Sequence, residues 1–447
     1  RFRCGRRRRR ELPPPDAERP ETMLKTLALA ACLVGAAADP VDQAIYPGRS
    51  GDVAFAAPAG QAARLIFVGA EKVATGAKSF AETSMAPLVA HIAGALPTAF
   101  PASMPKAAAH VLTPAKGMLM LSLEGVSAAE LESMPAVSRI AGDSHSVDLE
   151  PAFEPRDSVA AAVSRTTGTT PDDHGIAAKA WVDAKTSEIV AAFTAGKDAT
   201  AARVAGLADL IGQSSQGRSF LLSMSSDAQL AAANGAHPSM CRNHAASWPH
   251  AVLSYDAEAK AFKPSQIGDA LDASRFTVTL ADARAALHKV APEELAALES
   301  EDPVAVAGVI AELGSPLVLM ARLAVDPVLS PLVGDDAADL VTISLAAVSG
   351  HKTTAALKLA DKAVPAILDA YRGVWGDKAR AAILLNPETA AAPAVDAPAG
   401  WTVVGSRAFG PRSPEGKAEG CAHFASALEG SETQVHCLLH RQGGARR

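Results

Sequence analysis

The ten residues Gly117–Val126, GMLMLSLEGV, constrain the fold more than any other stretch of the chain. An apolar run at both odd and even positions, closed by Gly125, does not suit a sheet with one wet face. It belongs in the middle of a sheet covered on both sides. Directly after it, Ser127 and Glu130 make a capping-box pattern that opens a short helix. Such a sheet needs further strands and covering helices, and the first half of the chain offers both. Arg64–Gly69, Ile176–Val182, Phe220–Met224 and Ala251–Tyr255 read as strands, while Phe80–Leu96 carries Met85, Leu88, Val89 and Ile92 at helical spacing. The alternation predicts an α/β fold, a layered sheet with covering helices.

The second half is helix-rich. Phe276, Leu280, Ala283 and Leu287 fall on one helical face, and Val304, Val309, Leu313 and the run Leu317–Leu323 continue the pattern. Ala355–Trp375 places Leu359, Ala363, Ile367, Tyr371 and Val374 together, with Pro365 either kinking the helix or marking its start. Gly376 reads as its C-cap. Leu340–Ala347 fits a strand or a buried helix, and Arg380–Leu385 reads as a last strand.

The segment from Met23 to Pro40, MLKTLALAACLVGAAADP, has one lysine, an apolar run from Leu27 to Val34 and the small residues Gly35–Ala38. These are the parts of a secretory signal, with cleavage expected at Ala38. The run is shorter than the roughly 20 apolar residues of a membrane span. The arginine-rich residues before Met23 are read as an over-extended gene model. The expected organisation is a non-native extension at 1–22, a signal peptide at 23–38 and a luminal α/β domain at 39–387 with an internal boundary near 256–275. An Ala/Pro-rich linker and an unstructured or mistranslated tail are expected over 388–447.

The chain has 42 basic and 48 acidic residues, a net charge of −6. With the leader's arginines set aside, the body is more acidic still, which excludes nucleic acid and anionic membrane surfaces as partners. Hydrophobic residues at 49% supply enough for one sizeable core or two lobes. Of five cysteines, Cys4 and Cys32 lie in the leader and Cys421 and Cys437 in the tail, so only Cys241 remains and no disulfide framework is expected.

Short catalytic motifs are missing: there is no phosphate-binding loop, zinc-peptidase helix motif or Gly-x-Ser-x-Gly elbow. His237, Cys241, His244 and His250 carry the donor types of a zinc shell, but their spacing matches no established pattern and they read as a solvated loop beside a buried cysteine. A Cys241/His nucleophile pair lacks an orienting third group. Asp172, Asp173 and His174, like Asp335 and Asp336, read as turn and helix-start residues. No residue is therefore assigned to catalysis, to a metal or to a cofactor.

Three blocks together resemble the luminal part of the renin receptor family, also known as the vacuolar proton-ATPase accessory protein 2 family. They are Ile45–Gly48 with Val53–Phe55, the strand Gly117–Val126, and the series from Phe276 through TVTLADARAAL, AELGSPLVL, DLVTISLAAV and ALKLADKAVPAILDAYRGVWG to ARAAILL. The resemblance implies a non-enzymatic accessory or receptor protein in the endomembrane or lysosomal lumen. It implies assistance to proton-pump assembly and organelle acidification, with the pump's membrane sector and a protein ligand as partners. It also implies a transmembrane helix, and no run long enough for one follows Leu385. The alternative is a secreted α/β hydrolase of unknown substrate, supported by the alternating first half. The C-terminal edge of the sheet separates the two. A hydrolase gathers Asp, His and a nucleophile there, whereas an accessory protein presents an apolar contact surface.

Overall fold

The computed structural model describes residues 53–56, 62–68, 79–95, 100, 115–152, 158–174, 176, 180–182, 189–193, 204–234, 248–301, 306–333, 335, 337–351, 353–387, 401–406 and 436–440. The strands are β1 (Val53–Ala56), β2 (Ala63–Val68), β3 (Ser79–Ala81), β4 (Gly117–Glu124), β5 (His145–Glu150), β6 (Ala180–Val182), β7 (Ile189–Ala191) and β8 (Leu221–Ser225). They continue with β9 (His250–Asp256), β10 (Ala261–Ile267), β11 (Val278–Thr279), β12 (Asp339–Leu345), β13 (Ala379–Asn386), β14 (Trp401–Ser406) and β15 (His436–His440). Ten of them form one sheet in the order β11-β10-β9-β8-β12-β4-β13-β2-β5-β3. Its centre, β9-β8-β12-β4-β13, is all parallel. β10 and β2 flank that centre antiparallel. Two small sheets, β1-β15-β14 and β6-β7, stand apart from it in pairing.

β4 takes the middle position its composition demands: all eight of its residues are buried. Leu119, Leu121 and Leu123 point into one hydrophobic cluster and Met118 and Met120 into another. Each such leucine taken out of water contributes roughly 1.5–3 kcal/mol. The first cluster is closed by helices α2 (Pro135–Gly142), α6 (Leu280–Val290), α7 (Pro292–Glu299), α8 (Ala307–Val325) and α9 (Thr354–Trp375). On the opposite face lie α1 (Met85–Ile92) and α4 (Leu207–Ser214). A smaller cluster joins α3 (Ser158–Thr167) to α5 (Ala228–Ala233).

Local chemistry explains where elements start and stop. The helical pattern expected over 80–96 is realised only from Met85, because Phe80 pairs with Leu149 as part of β3. Leu340–Leu345 becomes strand β12, flanked in register by β4 and β8. Its β-branched Val341, Thr342 and Ile343 suit a pleated surface. α9 runs through Pro365 and ends at Gly376, whose φ of +59° favours glycine. After β4, Ser127 and Glu130 exchange the reciprocal bonds of a capping box.

Buried acids tie the layers together. Asp361 on α9 accepts hydrogen bonds from the Ala136 and Val137 amides, at 2.8 and 2.9 Å, and so caps the first turn of α2 from another helix. Asp339, at the start of β12, accepts from the Phe220 amide and from the Trp375 indole, at 2.8 and 2.7 Å. Trp375 stacks on Tyr371 with ring centres 4.4 Å apart. A Cβ on Gly117 would lie 2.5 Å from Trp375, so β4 has to begin with glycine. Glu312 on α8 accepts from the amides of Ser226, Ala346 and Ala347, at 3.0, 2.9 and 2.7 Å, and clips the ends of β8 and β12 together.

Two measurements test these ties. Asp361→Ala leaves two helix-start amides without their acceptor and should lower the urea midpoint by the equivalent of about 1–3 kcal/mol with an unchanged m-value. An unchanged midpoint would remove the cross-helix cap from the account. Burial pushes the Glu312 carboxyl up to about 7 against the pull of the Ser226 hydroxyl and of its amide donors. Between its ordinary value and about 7 the folded chain holds this proton while the unfolded chain releases it. Stability from this group is therefore complete at acidic pH and declines as pH rises to 7, by on the order of 3 kcal/mol. Glu312→Gln should flatten that slope in pH-dependent urea melts, whatever it does to the absolute stability. A slope identical to wild type would exclude Glu312 as its source.

Candidate functional site at the C-terminal edge of the parallel strands

Along β8, β12, β4 and β13, one face of the sheet changes character from one end to the other. Leu221, Leu340 and Met118 begin it within the apolar cluster under α1 and α4. One step on, Thr342 lies in register with Ser223 and Met120. The next row sets Ser344 between Ser225 and Ser122, and the last pairs Glu124 with Asn386. Because side chains alternate along a strand, residues two apart share a face. The hydroxyls, the carboxylate and the amide therefore converge where ligands bind in open α/β sheets, outside the carboxyl ends of the strands.

Glu124 is the centre of this group and is 1% exposed. Its Oε1 accepts from the Ser122 hydroxyl at 2.5 Å and the Ser344 hydroxyl at 2.8 Å, and its Oε2 accepts from the Asn386 amide at 2.5 Å. Gly125 follows with φ of +69°, and its N–H donates to the Asn386 carbonyl at 2.7 Å. That turn carries the chain off the sheet without moving Glu124 from its partners. Past the end of β8, on the far side of β12 from β4, Asp227 accepts from the Gln229 and Leu230 amides and opens α5. α3 arrives at the same edge, since Val159 in its first turn packs in one cluster with Leu230 and with Ala346 just past β12. The Thr166 hydroxyl donates to the Ala233 carbonyl at 3.1 Å where the two helices end. A carboxylate holding two serine hydroxyls is an arrangement that can take a proton from an attacking hydroxyl or water.

Other polar groups nearby are structural. His174 Nδ1 accepts from the Ile176 amide at 3.1 Å, so Nε2 carries the hydrogen and donates to the Ser164 hydroxyl at 2.9 Å. Burial depresses this imidazole to about 4. A neutral ring that donates to the serine cannot act as its base. Arg165 and Glu82, both buried, face each other at 3.7 Å. Glu82 also accepts from the Ala152 amide.

The residues singled out in the sequence fall elsewhere. Ala38, His237, Cys241, His244 and Asp336 lie outside the described residues. His250 opens β9, buried, with Nδ1 bonded to the Trp248 carbonyl at 3.0 Å. Asp173 lies in the single-turn helix Pro171–His174, and Asp335 accepts from the Ala337 amide as a turn residue. The sequence reading missed Glu124, Ser122, Ser344 and Asn386. Their signal was a shared one: buried strands that turn polar at the same end, as in LSLEG, SMSSD, TISL and LLNP.

Hydrolytic sites commonly use divalent metals. The Glu124 group supplies one carboxylate among neutral donors, and among the described residues no three His, Cys, Asp or Glu side chains gather as metal ligands. These residues do not by themselves fit a metal centre.

The chain matches the family model for type I phosphodiesterase / nucleotide pyrophosphatase over residues 118–314, a span that opens on β4. No curated protein matches it. Among solved structures it is similar to wild-type alkaline phosphatase PafA, at 10% identity and a TM-score of 0.42, over 60% of this chain and 62% of that one. The chain thus spans about three-fifths of that protein's length. The family match overturns the resemblance to the renin receptor family and, with it, the non-enzymatic reading, the accessory role in acidification and the pump's membrane sector as partner. The structure supplies physical reasons. Leu359, Ala363, Ile367 and Tyr371, the face that an accessory protein would offer to a partner, are buried in the chain's own core. At the C-terminal edge the strands carry a buried carboxylate and hydroxyls where the accessory reading expects apolar side chains.

Proposed function

We propose that the chain is a hydrolase of phosphodiester or pyrophosphate bonds, acting at the C-terminal edge of its parallel strands. The observation that carries this reading is the family match over residues 118–314, which begins on the strand that bears Glu124. The hydrolase alternative raised by the alternating strands is thereby narrowed to esters and anhydrides of phosphate. In this reading Glu124 takes the proton from the attacking group, a water or the Ser122 or Ser344 hydroxyl. The second hydroxyl and Asn386 hold the carboxylate in place. The new bond to phosphorus replaces the bond to the leaving oxygen, which departs as the alcohol or phosphate and takes up the proton that Glu124 had accepted. Where a serine has attacked, a water then displaces its oxygen from phosphorus and restores the hydroxyl.

The test is an assay of the purified chain on bis(p-nitrophenyl) phosphate and on a dinucleotide pyrophosphate, with and without added divalent cations. Wild type should hydrolyse at least one of them. Glu124→Gln should lower kcat by roughly 10²–10⁴-fold, the usual worth of a general base, with KM little changed. A wild-type chain inert on both substrates, or a Glu124→Gln variant with full activity and an intact fold by circular dichroism, would defeat the proposal.

The signal-like segment ending at Ala38 supports entry into the secretory pathway. Mass spectrometry of the cellular protein should find a start near Asp39. Intact RFRCGRRRRR at its head would contradict that.

A further inference from the structure

The opposite edge of the sheet holds a different opening. β4 and β13 run parallel and start side by side: the Lys116 amide donates to the Lys378 carbonyl at 3.2 Å, one residue before each strand begins. Arg380 is the second residue of β13. Arg218 reaches the same place from the turn between α4 and β8. These four cationic side chains line a cleft of about 440 Å³ whose apolar wall includes Ala115 and Ala337 and whose acid is Asp377. β4 separates this cleft from Glu124 by about 25 Å, at roughly 3.3 Å per residue.

Four positive groups around one concavity, in a chain of net charge −6, repel one another and focus a positive field into the opening. Part of this charge has a local task, because the Arg218 Nε donates to the Ser215 carbonyl at the end of α4, at 3.4 Å. That uses one of the five donors of the guanidinium. Lys378 comes from the other side of the cleft and caps no part of α4. Neither Arg218 nor Lys378 forms an ion pair with a carboxylate among the described residues, and both are exposed. The volume lies in the range of small-molecule sites. Among the described residues no aromatic ring lines the wall to stack on a base, so the recognition argued here runs through the charged groups.

We infer that this cleft binds a small, multiply charged oxyanion carrying two or more linked phosphates, at a site separate from the Glu124 edge and independent of the hydrolase reading. Arg218 and Lys378 supply the contacts from opposite walls, with the guanidinium fork suited to paired phosphate oxygens. Lys116 and Arg380 extend the positive field between them.

The probe is methylenediphosphonate, whose carbon bridge resists hydrolysis, titrated calorimetrically into the full chain at ~0.15 M salt, where surface charges more than about 8 Å apart are screened. One equivalent should bind. Arg218→Ala and Lys378→Ala should each weaken it at least tenfold, and the double reversal Arg218→Glu/Lys378→Glu should abolish it. Arg218→Lys with Lys378→Arg should retain most of it, and Glu124→Gln should leave it unchanged. Because both cations are exposed, the variants should keep the wild-type melting temperature, which is checked alongside. Orthophosphate in place of the probe should bind more weakly, as expected for recognition of linked phosphates. No saturable binding by wild type, undiminished binding by the double reversal, or loss of binding in Glu124→Gln would each overturn the inference.

Discussion

The continuous parallel register of β8, β12, β4 and β13 is the constraint on which the rest depends. It places Leu119, Leu121 and Leu123 in one core and Met118 and Met120 in the other, so both helical layers are anchored to the same strand. A shift by one residue would exchange the two faces along a whole strand. It would move the leucines of β4 towards α1 and α4 and turn Ser122 and Glu124 into the apolar layer under α8 and α9. The register that fills the core and the register that assembles the polar edge are therefore one and the same. Ser225, Ser344 and Ser122 form a row because their strands pair as they do.

The buried acids divide the remaining labour. Glu312, Asp361 and Asp339 each accept backbone amides or an indole from elements distant in sequence, and each stands where a strand or helix end would otherwise leave donors without partners. Glu124 differs in kind. Its donors are all side chains, two hydroxyls and an amide, whereas Glu312 takes one hydroxyl, that of Ser226, beside its three backbone amides.

The two edges of the sheet have opposite chemistry. The carboxyl ends gather an acid and hydroxyls, and the amino ends gather lysines and arginines around an open cleft. Overall composition registers neither, since a net charge of −6 averages them away. The apolar face of α9, conspicuous in the sequence, meets α2, α6, α7, α8 and the sheet in the interior. An amphipathic stripe establishes that a face must be buried and leaves open whether the chain itself or a partner covers it.

The sequence alone determined the elements whose signal is local. β4 as a doubly covered strand follows from its unbroken apolar run, the turn at Gly125 from the glycine that closes it, the capping box from the spacing of Ser127 and Glu130, and the end of α9 from Gly376. The α/β class followed from their alternation. Tertiary structure decided whatever depends on pairing between distant segments. Leu340–Leu345 is compatible with helix or strand until β4 and β8 flank it. Ser122, Ser344 and Asn386 are unremarkable singly, and only the register of three strands separated by up to 262 positions sets them on one carboxylate. Lys116, Arg218 and Lys378 likewise meet because three strand entries share an edge. Hydrogen bonds and electric fields act through space over a few ångströms, and a linear pattern carries no record of which remote residues the fold brings that close.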